Sequence, residues 1–520
     1  MASEVKAVLK NDTWKLVPRP SSVTTIGSRF VLRNKYGGGG TLERRKARIV
    51  AKGYSQRYGR DFLETFAPVA RLDSIRLAIA LAARDRMHVR QYDVATAYLN
   101  GRLEEDVYME VPDEMEAVLE FIVRSKGHDK ESVQEAKRML AELATGDRVC
   151  HMNKALYGLK QAGRAWHRHL DRELRNLGAT PTSGDTCVYQ KYEGNKQLLI
   201  IVYVDDILVM SKHPEMIDAF GARLATLFEI KDLGVLKRCL GIDFQMDDSA
   251  ITMTQKTYIE DILRRFNMSD CNPVSTPAVV GSRLAKGEAW QESDGERPPY
   301  RELIGCLLYL SVATRPDISH VVSSLSQYND HFGVSHWSAA KRVLRYLKGT
   351  SDLGISYQLG DGTVTGYVDA DYGGSMDDRR SFTGYVFIMN GGAVTWDSRK
   401  QRTVAVSTTE AEYMALSDAA KEVLHLQAFL SELGVSEADK LVLFNDNFSA
   451  QKLATNPVFH ARTKHIDVRH HFVREVVESG KLVLQHIPSS DMPADVLTKP
   501  LPNPKHQRCA QLLGLSRIGT

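Results

Sequence analysis

The spacing of apolar residues divides the chain into helical and strand-like segments. Apolar residues recur at helical spacing from Ser74 to Met87, and again along 336–349 and 408–433, which predicts helices that each bury one face. We also predict a helix at 153–177 and a charged helical insertion at 103–147. The apolar runs LLIIVYV and ILVM, which flank two aspartates, predict a β-hairpin buried in a sheet.

The patterning also suggests where domains divide. Prolines 273, 277, 298 and 299 mark a linker or loop at about 270–299. From about residue 360 onward, three strand-like runs precede a long helix, and the order βββαβαβα predicts an α/β domain with its own core. The glycines at 37–40 predict a hairpin turn, because no Gly-Lys-Ser/Thr sequence follows to make a phosphate loop.

Composition is ordinary for a globular protein, but the charges are unevenly placed. The chain has 520 residues and a net charge of +4, with 43% hydrophobic and 25% charged residues. Ten lysines and arginines and one acid lie in 29–60, whereas 103–120 holds eight acids and no base. The six cysteines form no Cys-x-x-Cys pair, which favours a reducing intracellular compartment over a disulfide framework or zinc ribbon. We expect neither a secretory signal nor a membrane span, because every apolar run is too short.

Acidic residues stand where burial makes them costly. Asp205 and Asp206 lie between two apolar strands, and Asp93 is flanked by apolar and aromatic residues. Buried ionised carboxylates need a partner or a cation, so converging aspartates predict a magnesium site suited to a nucleotide triphosphate. The alternative for the Asp-Asp pair is a solvated hairpin tip.

A second set of acids lies in the C-terminal part, at Asp369, Glu410, Asp446 and Asp495. The ends of two strands and the start of a helix could bring such carboxylates together. Glu410 has a competing interpretation, because Ser407-x-x-Glu410 is a capping box in which the glutamate bonds back to the helix start.

Ordered sequence blocks identify a family resemblance that extends over about residues 10–502. They include NDTWKLVPRP, KARIVAKGYSQRYGRDFLETFAPVA, QYDVATAYLNG, ALYGLKQAGRAWH, YVDDILV, GYVDADYGG, STTEAEYMAL, KHIDVRHHFVRE and ADVLTKPL. The chain resembles the reverse transcriptase–RNase H portion of the Pol polyprotein of Copia-type LTR retrotransposons. The resemblance implies an α+β and α/β multidomain fold: a right-hand polymerase followed by an RNase H-like domain. Fingers and palm would occupy 1–235, thumb and connection 236–355, and the RNase H-like domain 360–515.

The resemblance implies two activities, an RNA-directed DNA polymerase (nucleotidyltransferase) and a ribonuclease H. Asp93, Asp205 and Asp206 match the polymerase aspartates. Asp369, Glu410 and Asp446 match the nuclease carboxylates, and Asp495 is the expected fourth, with His465 and Asp467 as competitors. Each site would hold two Mg²⁺ ions, with Mn²⁺ as a substitute.

The resemblance also implies the ligands and the residues that contact them. The expected partners are an RNA template, a DNA primer, RNA–DNA hybrid and deoxynucleoside triphosphates, together with element-encoded integrase and capsid. Tyr98 matches the ring that rejects a ribose 2′-hydroxyl, although an ordinary core aromatic is the alternative. Leu240–Ile242 lies where such enzymes grip the primer. The expected nucleotide- and template-binding residues are Lys46, Arg48, Tyr98, Tyr157, Gly158, Lys160, Gln161 and Tyr203.

The chain departs from the family pattern at three places. Gly163 replaces a usual proline, Asn445 stands where a cysteine commonly precedes the aspartate, and 116–147 matches nothing. We expect the chain to be a portion of a longer Pol polyprotein, a processed product, or a decayed or domesticated copy. The alternative function is therefore an inactive relic that binds nucleic acid without turnover. The family life cycle implies cytoplasmic virus-like particles followed by nuclear delivery.

Overall fold

The computed structural model describes the chain except Ser22, 37–41, 126–127, Glu288, 436–439, 456–466 and 519–520. The helices are α1 Ala2–Lys10, α2 Leu72–Asp85, α3 Met115–Arg124, α4 Lys130–Leu143, α5 Ala162–Asn176, α6 Pro214–Leu227, α7 Lys256–Arg265, α8 Tyr300–Ala313, α9 Ser319–Ser326, α10 Val334–Gly349, α11 Thr408–Glu432, α12 Phe448–Thr455, α13 Asp467–Glu478 and α14 Asn503–Leu512. The strands are β1 Trp14–Pro18, β2 Ser28–Tyr36, β3 Leu42–Ala51, β4 His88–Val94, β5 Tyr108–Glu110, β6 Arg148–Met152, β7 Thr180–Pro181, β8 Val188–Glu193, β9 Lys196–Tyr203, β10 Asp206–Ser211, β11 Ile230–Val235, β12 Arg238–Cys239, β13 Ile242–Met246, β14 Ala250–Thr254, β15 Leu353–Gln358, β16 Val364–Ala370, β17 Phe382–Met389, β18 Gly392–Lys400, β19 Leu441–Asn445, β20 Leu482–His486 and β21 Leu515–Arg517. Within these ranges, no helix combines the length and apolar character needed to cross a bilayer.

A six-stranded sheet forms the centre of the N-terminal half, in the order β11-β4-β10-β9-β8-β7. Both faces are covered, which explains the continuous apolar runs of β9 and β10. Alternate residues such as Ile200 and Val209 pack with α5 and α6, whereas Leu199 and Met210 pack in the core that contains α2. The predicted hairpin around Asp205 is therefore present and buried.

The N-terminal subdomain combines a small sheet, a ribbon and three helices. Strands β1, β6 and β5 form the sheet, and β2 and β3 pair as an antiparallel ribbon. Helices α1, α3 and α4 close its core, so the predicted insertion is helical but also contains β5. The predicted turn at 37–41 lies outside the described residues, although the strands that flank it are paired as far as Tyr36 and Leu42.

The C-terminal half contains a helical cluster and two further sheets. Helices α7 to α10 form the cluster, and the segment before α8 is largely irregular, as the prolines predict. One sheet has the order β18-β17-β16-β19-β20, with β16, β19 and β20 parallel and α11 packed against it. The other sheet, β12-β13-β14-β15-β21, joins the last strand of the chain to residues far earlier in the sequence.

One predicted helix starts later than the sequence pattern suggests. Residues 153–161 form a loop, and α5 begins only at Ala162. Gly158 in this loop has φ of +93°, and a Cβ there would lie 2.2 Å from the Ala51 carbonyl oxygen. The loop therefore requires glycine for conformation and for close contact with β3.

Candidate active sites

Three aspartates meet at one end of the six-stranded sheet. Asp93, near the end of β4, is the cross-strand partner of Asp206, the first residue of β10. Asp205 lies in the turn between β9 and β10, and its carbonyl accepts a hydrogen bond from Val94 N–H at 2.9 Å. Antiparallel pairing thus makes neighbours of Asp93 and Asp206, which lie more than a hundred positions apart in sequence.

Burial and like charge shape the electrostatics of this group. The pKa of Asp206 is raised, chiefly by burial and further by the charges of Asp205 and Asp93. Gln91 opposes this rise, because its Nε2 donates to Asp206 Oδ1 at 2.7 Å. Gln91 is itself buried, on the same face of β4 as Asp93, and sequence reasoning did not select it.

The turn that carries Asp205 is held by a tryptophan from α5. Val204 has φ of +58°, a left-handed conformation that is unusual for a β-branched residue. The buried indole Nε1 of Trp166 donates to the Val204 carbonyl at 2.7 Å. Gly163 lies one turn earlier on α5. A Cβ added there would make only an ordinary contact with Ala67 Cβ at 3.5 Å, so this position does not require glycine.

Aromatic and basic groups connect the aspartates to the N-terminal ribbon. Tyr98 packs edge-on against Tyr157, with ring centroids 5.3 Å apart, and the guanidinium of Arg48 lies 4.6 Å from the Tyr157 ring. The pKa of Tyr98 is raised by burial and then by the charge of Asp205. Lys46 lies near Arg48 on β3, and both charges act on the buried carboxyl of Glu4.

The remaining predicted nucleotide-binding residues differ in their burial and in their hydrogen-bond partners. Gln161 is buried and donates to the Asp61 carbonyl at 2.9 Å, so its amide supports the fold. Lys160 Nζ donates to the Gln56 carbonyl at 3.2 Å and lies 4.7 Å from the Phe62 ring. Tyr203 is half-buried at the end of β9, opposite Asp206.

The predicted primer-contact segment is a strained turn anchored by a helix. Leu240 and Gly241 both have positive φ, +53° and +71°. The hydroxyl of Tyr309 on α8 donates to the Leu240 carbonyl. Burial and the neighbouring Tyr203 raise the pKa of Tyr309 to about 12, which keeps this donor protonated.

A second carboxylate group lies in the C-terminal sheet. Asp369 on β16, Glu412 on α11 and Asp446 just after β19 each place one oxygen within 4.8 Å of the others. Among the described residues, no other three carboxylates, imidazoles or thiols meet this criterion, so the aspartates of the six-stranded sheet are more widely spaced. Burial, with further charge repulsion, raises the pKa of Asp369 to about 6 and that of Glu412 well above its usual value.

The prediction that Glu410 joins this group does not fit the structure. The Glu410 N–H donates to Ser407 Oγ, which is one half of a capping box, but Glu410 Oε2 accepts at 2.7 Å from the N–H of Val406, one residue before the cap. Residues two apart on a helix project about 200° apart, so Glu412 faces Asp369 where Glu410 cannot. Glu410 therefore bonds at the start of the helix, whereas Glu412 is the glutamate that joins the carboxylate group.

Asn445 supports Glu412 from the neighbouring strand. Its Nδ2 donates to Glu412 Oε2 at 2.9 Å and lies 3.3 Å from the Val368 carbonyl, while the side chain is fully buried. Ser489 Oγ donates to Asp446 Oδ2 at 2.6 Å. These polar partners fix the orientation of two carboxylates, as outer-shell groups do in metal sites.

Asp495 is linked to Asp369 of the carboxylate group through Lys499, which pairs with both. Lys499 Nζ is 2.8 Å from Asp495 Oδ1 and 3.2 Å from Asp369 Oδ2, and Lys505 also pairs with Asp495. Thr498 donates to Asp369 from the same segment. Asp495 is thus neutralised by lysines, and its role as fourth carboxylate stays a prediction. Its competitor His465 lies outside the described residues, as does the side chain of Asp467.

A cleft of about 810 Å³ is lined by Thr498 and Lys499, which contact Asp369, although none of the three carboxylates lines it. One side is formed by α9, α10 and the segment 277–284, and the other by residues around Asp371 and Lys499. Arg342 and Arg345 line it from α10, and burial together with the charge of Arg345 lowers the pKa of Arg342. This positive lining suits an anionic polymer.

Comparison with known proteins adds family information. Residues 11–120 and 141–280 match the family described as reverse transcriptase (RNA-dependent DNA polymerase). The chain is 38% identical to the retrovirus-related Pol polyprotein from transposon TNT 1-94 of Nicotiana tabacum, over 99% of this chain and 37% of that protein. It is 30% identical to a Ty5-1 transposon protein of Saccharomyces cerevisiae, over 64% of this chain and 100% of the relative.

The chain spans little more than a third of the length of the polyprotein relatives that it matches. A foamy viral protease-reverse transcriptase, solved in complex with RNA/DNA hybrid, gives a TM-score of 0.49 at 10% identity, over 93% of this chain and 52% of that one.

Proposed function

Since the chain belongs to the reverse transcriptase family found in the Pol polyproteins of Copia-like retrotransposons, we propose that it synthesises DNA on RNA and DNA templates and cleaves RNA in RNA–DNA hybrids. The observation that carries the proposal is the in-register pairing of Asp93 with Asp206 beside Asp205, which are half-buried at one end of the six-stranded sheet. The second carboxylate group, built on a separate sheet, supports the nuclease activity.

The donor chemistry of both groups fits divalent magnesium. Each is an oxygen-only set of carboxylates, the ligand type that magnesium prefers, and burial raises the pKa of Asp206 and of Asp369. We propose that each group binds two Mg²⁺ ions, for which Mn²⁺ substitutes. When bound, such ions activate the attacking oxygen and stabilise the leaving oxygen in phosphoryl transfer.

The protein's own residues orient the polymerase substrates. Gln91 holds the Asp206 carboxylate, and Trp166 holds the turn that carries Asp205. We propose that the Tyr98 ring, which packs on Tyr157 near Asp205, rejects a ribose 2′-hydroxyl by steric clash. Arg48 and Lys46 supply positive charge for the triphosphate of the incoming deoxynucleotide, and the basic ribbon supplies it for template phosphates. Alignment and charge neutralisation then lower the barrier to attack by the primer 3′-hydroxyl.

We propose that the nuclease site receives an RNA–DNA hybrid and not a free nucleotide. The cleft lined by Arg342 and Arg345 leads to Lys499, which contacts Asp369. We propose that a duplex backbone in this cleft contacts the arginines and Lys499, which pairs with Asp369 of the carboxylate group. Ribose 2′-hydroxyls in the wide minor groove would distinguish the RNA strand. By the same family reasoning, we propose integrase and capsid as partners and cytoplasmic particles followed by the nucleus as the location.

Two isosteric variants test the two activities separately. Asp205→Asn should abolish primer extension on an RNA template with Mg²⁺ and leave RNA cleavage intact, while Asp446→Asn should do the reverse. Extension by denaturing gel and release of labelled RNA from hybrid are the measurements. If the unmodified chain binds template–primer yet neither extends it nor cuts hybrid, the proposal fails and the non-catalytic relic is the better description.

A further inference from the structure

The loop after β3 places large rings in water instead of in the core. Tyr54, Tyr58 and Phe66 are 80%, 76% and 76% exposed. They lie within thirteen residues of one another along the chain, and Leu63 between them is also exposed. Scattered apolar residues on a surface need no explanation, but three rings exposed on one loop do.

The loop that carries these rings is held in place by a buried polar network. Gln56, Asp61 and Gln161 are each at most 6% exposed. Gln56 Nε2 donates to Gln161 Oε1 at 3.0 Å, and Gln161 Nε2 donates to the Asp61 carbonyl at 2.9 Å. Asp61 Oδ2 accepts from Arg57 N–H at 2.8 Å. Satisfied buried networks rigidify their surroundings, so the rings are displayed from a fixed loop.

The loop is joined to the polymerase aspartates through short contacts. Ala51 N–H donates to the Tyr157 carbonyl at 2.8 Å, and the Tyr157 ring packs on Tyr98. Tyr98 is in turn close enough to Asp205 for that charge to act on its hydroxyl. The loop that carries the exposed rings therefore begins at the strand end that is bonded to Tyr157, the residue whose ring packs on Tyr98.

Basic side chains accompany the rings on the same loop. Arg57 and Arg60 are exposed beside Tyr58, and Arg60 pairs with Asp61 at 2.9 Å. The adjoining β2–β3 ribbon carries further arginines. Exposed aromatic rings interleaved with positive charge are the combination that binds single-stranded nucleic acid, since rings stack on bases and cations neutralise phosphates.

We propose that Tyr54, Tyr58 and Phe66 form a stacking platform for unpaired template bases ahead of the primer 3′ end. This proposal rests on the proposed polymerase function and names the part of its substrate that the loop recognises. Stacking is tolerant of sequence, because every base offers a ring face, so the platform would hold any template without reading it.

The test compares binding of two DNA primer–templates, one blunt and one with a 5′ overhang of about six nucleotides. Fluorescence anisotropy in EDTA excludes both synthesis and cleavage. The unmodified chain should bind the overhang substrate more tightly, and Tyr58→Ala or Phe66→Ala should reduce that advantage roughly tenfold with no effect on the blunt duplex. Tyr58→Phe should retain the advantage, because it keeps the ring. The salt dependence should stay unchanged in all ring variants, because no phosphate contact is lost.

Tyr192→Ala is the matched control, since Tyr192 is also an exposed tyrosine (54%) but lies on β8. An unchanged overhang advantage in Tyr54→Ala, Tyr58→Ala and Phe66→Ala would overturn the platform, as would equal losses in Tyr58→Phe and Tyr58→Ala. These binding results do not depend on turnover. A chain that gains affinity from the overhang but never extends the primer would overturn the polymerase proposal alone.

Discussion

Two glutamates at the start of α11 show how much depends on single positions. Both are buried, and both lie in the block STTEAEYMAL, so composition and spacing alone favour the one that also fits a capping box. The structure separates them by helix geometry: Glu410 bonds back to Val406, whereas Glu412 faces Asp369 and Asp446. One sequence signal could have distinguished them. On the helix, Glu412 lies on the same face as the apolar residues that pack against the sheet.

An isosteric pair of variants tests this assignment. Glu412→Gln should lower RNA cleavage roughly 100-fold or more, because it removes a charge from the carboxylate group, and should leave primer extension unchanged. Glu410→Gln should leave both activities and the free energy of unfolding close to those of the unmodified chain, since the glutamine Oε1 can also accept from Val406 N–H. RNA release from hybrid and denaturant unfolding are the measurements. Loss of cleavage in Glu410→Gln with retention in Glu412→Gln would reverse the assignment.

Some site residues could not have been found by sequence reasoning. Asn445 stands out in the sequence only as a departure from the usual cysteine, yet its amide contacts Glu412, 33 residues earlier. Gln91 is likewise an ordinary polar residue in a strand until β4 and β10 pair. Their roles depend on which strands become neighbours, and local patterning does not specify that.

At the level of elements, local periodicity predicts the helices and strands well, but it does not predict which distant strands pair. The hairpin β9–β10 and the helices α10 and α11 match their sequence signals to within two residues, because each buries a clear apolar stripe or run. The predicted start of this helix at residue 153 was wrong, because a loop containing Gly158 packs on β3 and α5 begins only at Ala162. The pairing of β21 with β15 was missed, because a three-residue strand carries no periodicity.

Helix α5 and the β9–β10 hairpin act as one unit through Trp166, and this coupling can be tested. Trp166→Phe keeps a buried ring but removes the donor to Val204, so the turn carrying Asp205 loses its anchor. We expect kcat for primer extension to fall roughly 10- to 100-fold with little change in KM for the nucleotide. Trp14→Phe, in the separate N-terminal core, is the control and should extend normally. An unchanged kcat in Trp166→Phe would show that the turn is held by other contacts.

At the level of the whole molecule, the parts that carry the two carboxylate groups share one hydrophobic core. Helix α2 packs against both the six-stranded sheet and β18, and the core residues around it run without a break from Leu208 to Leu443. Glu432 at the end of α11 accepts from Ser183 N–H, which joins the parts at a second point. The two carboxylate groups are therefore carried on one packed body.

Arg76 is the polar centre of this junction. It is 2% exposed, and its guanidinium donates to the carbonyls of Val394 at 2.8 Å, Val312 at 2.6 Å and Ala313 at 3.1 Å. It also lies 3.9 Å from the Trp396 ring. These partners lie more than 230 residues away in sequence, so this single side chain satisfies two buried carbonyls and one partly buried carbonyl at the junction, while it also pairs with Asp73 on its own helix.

Replacing Arg76 should therefore separate the two parts. Arg76→Met keeps most of the volume but leaves three carbonyls without a donor, which should cost about 3 kcal/mol in the free energy of unfolding. The unmodified chain should lose polymerase activity, nuclease activity and tryptophan fluorescence in one denaturant transition, because the core is shared. In Arg76→Met we expect two transitions. Arg86→Met, an exposed position at the end of α2, should keep one. A single unshifted transition in Arg76→Met would mean that apolar packing alone couples polymerase to nuclease.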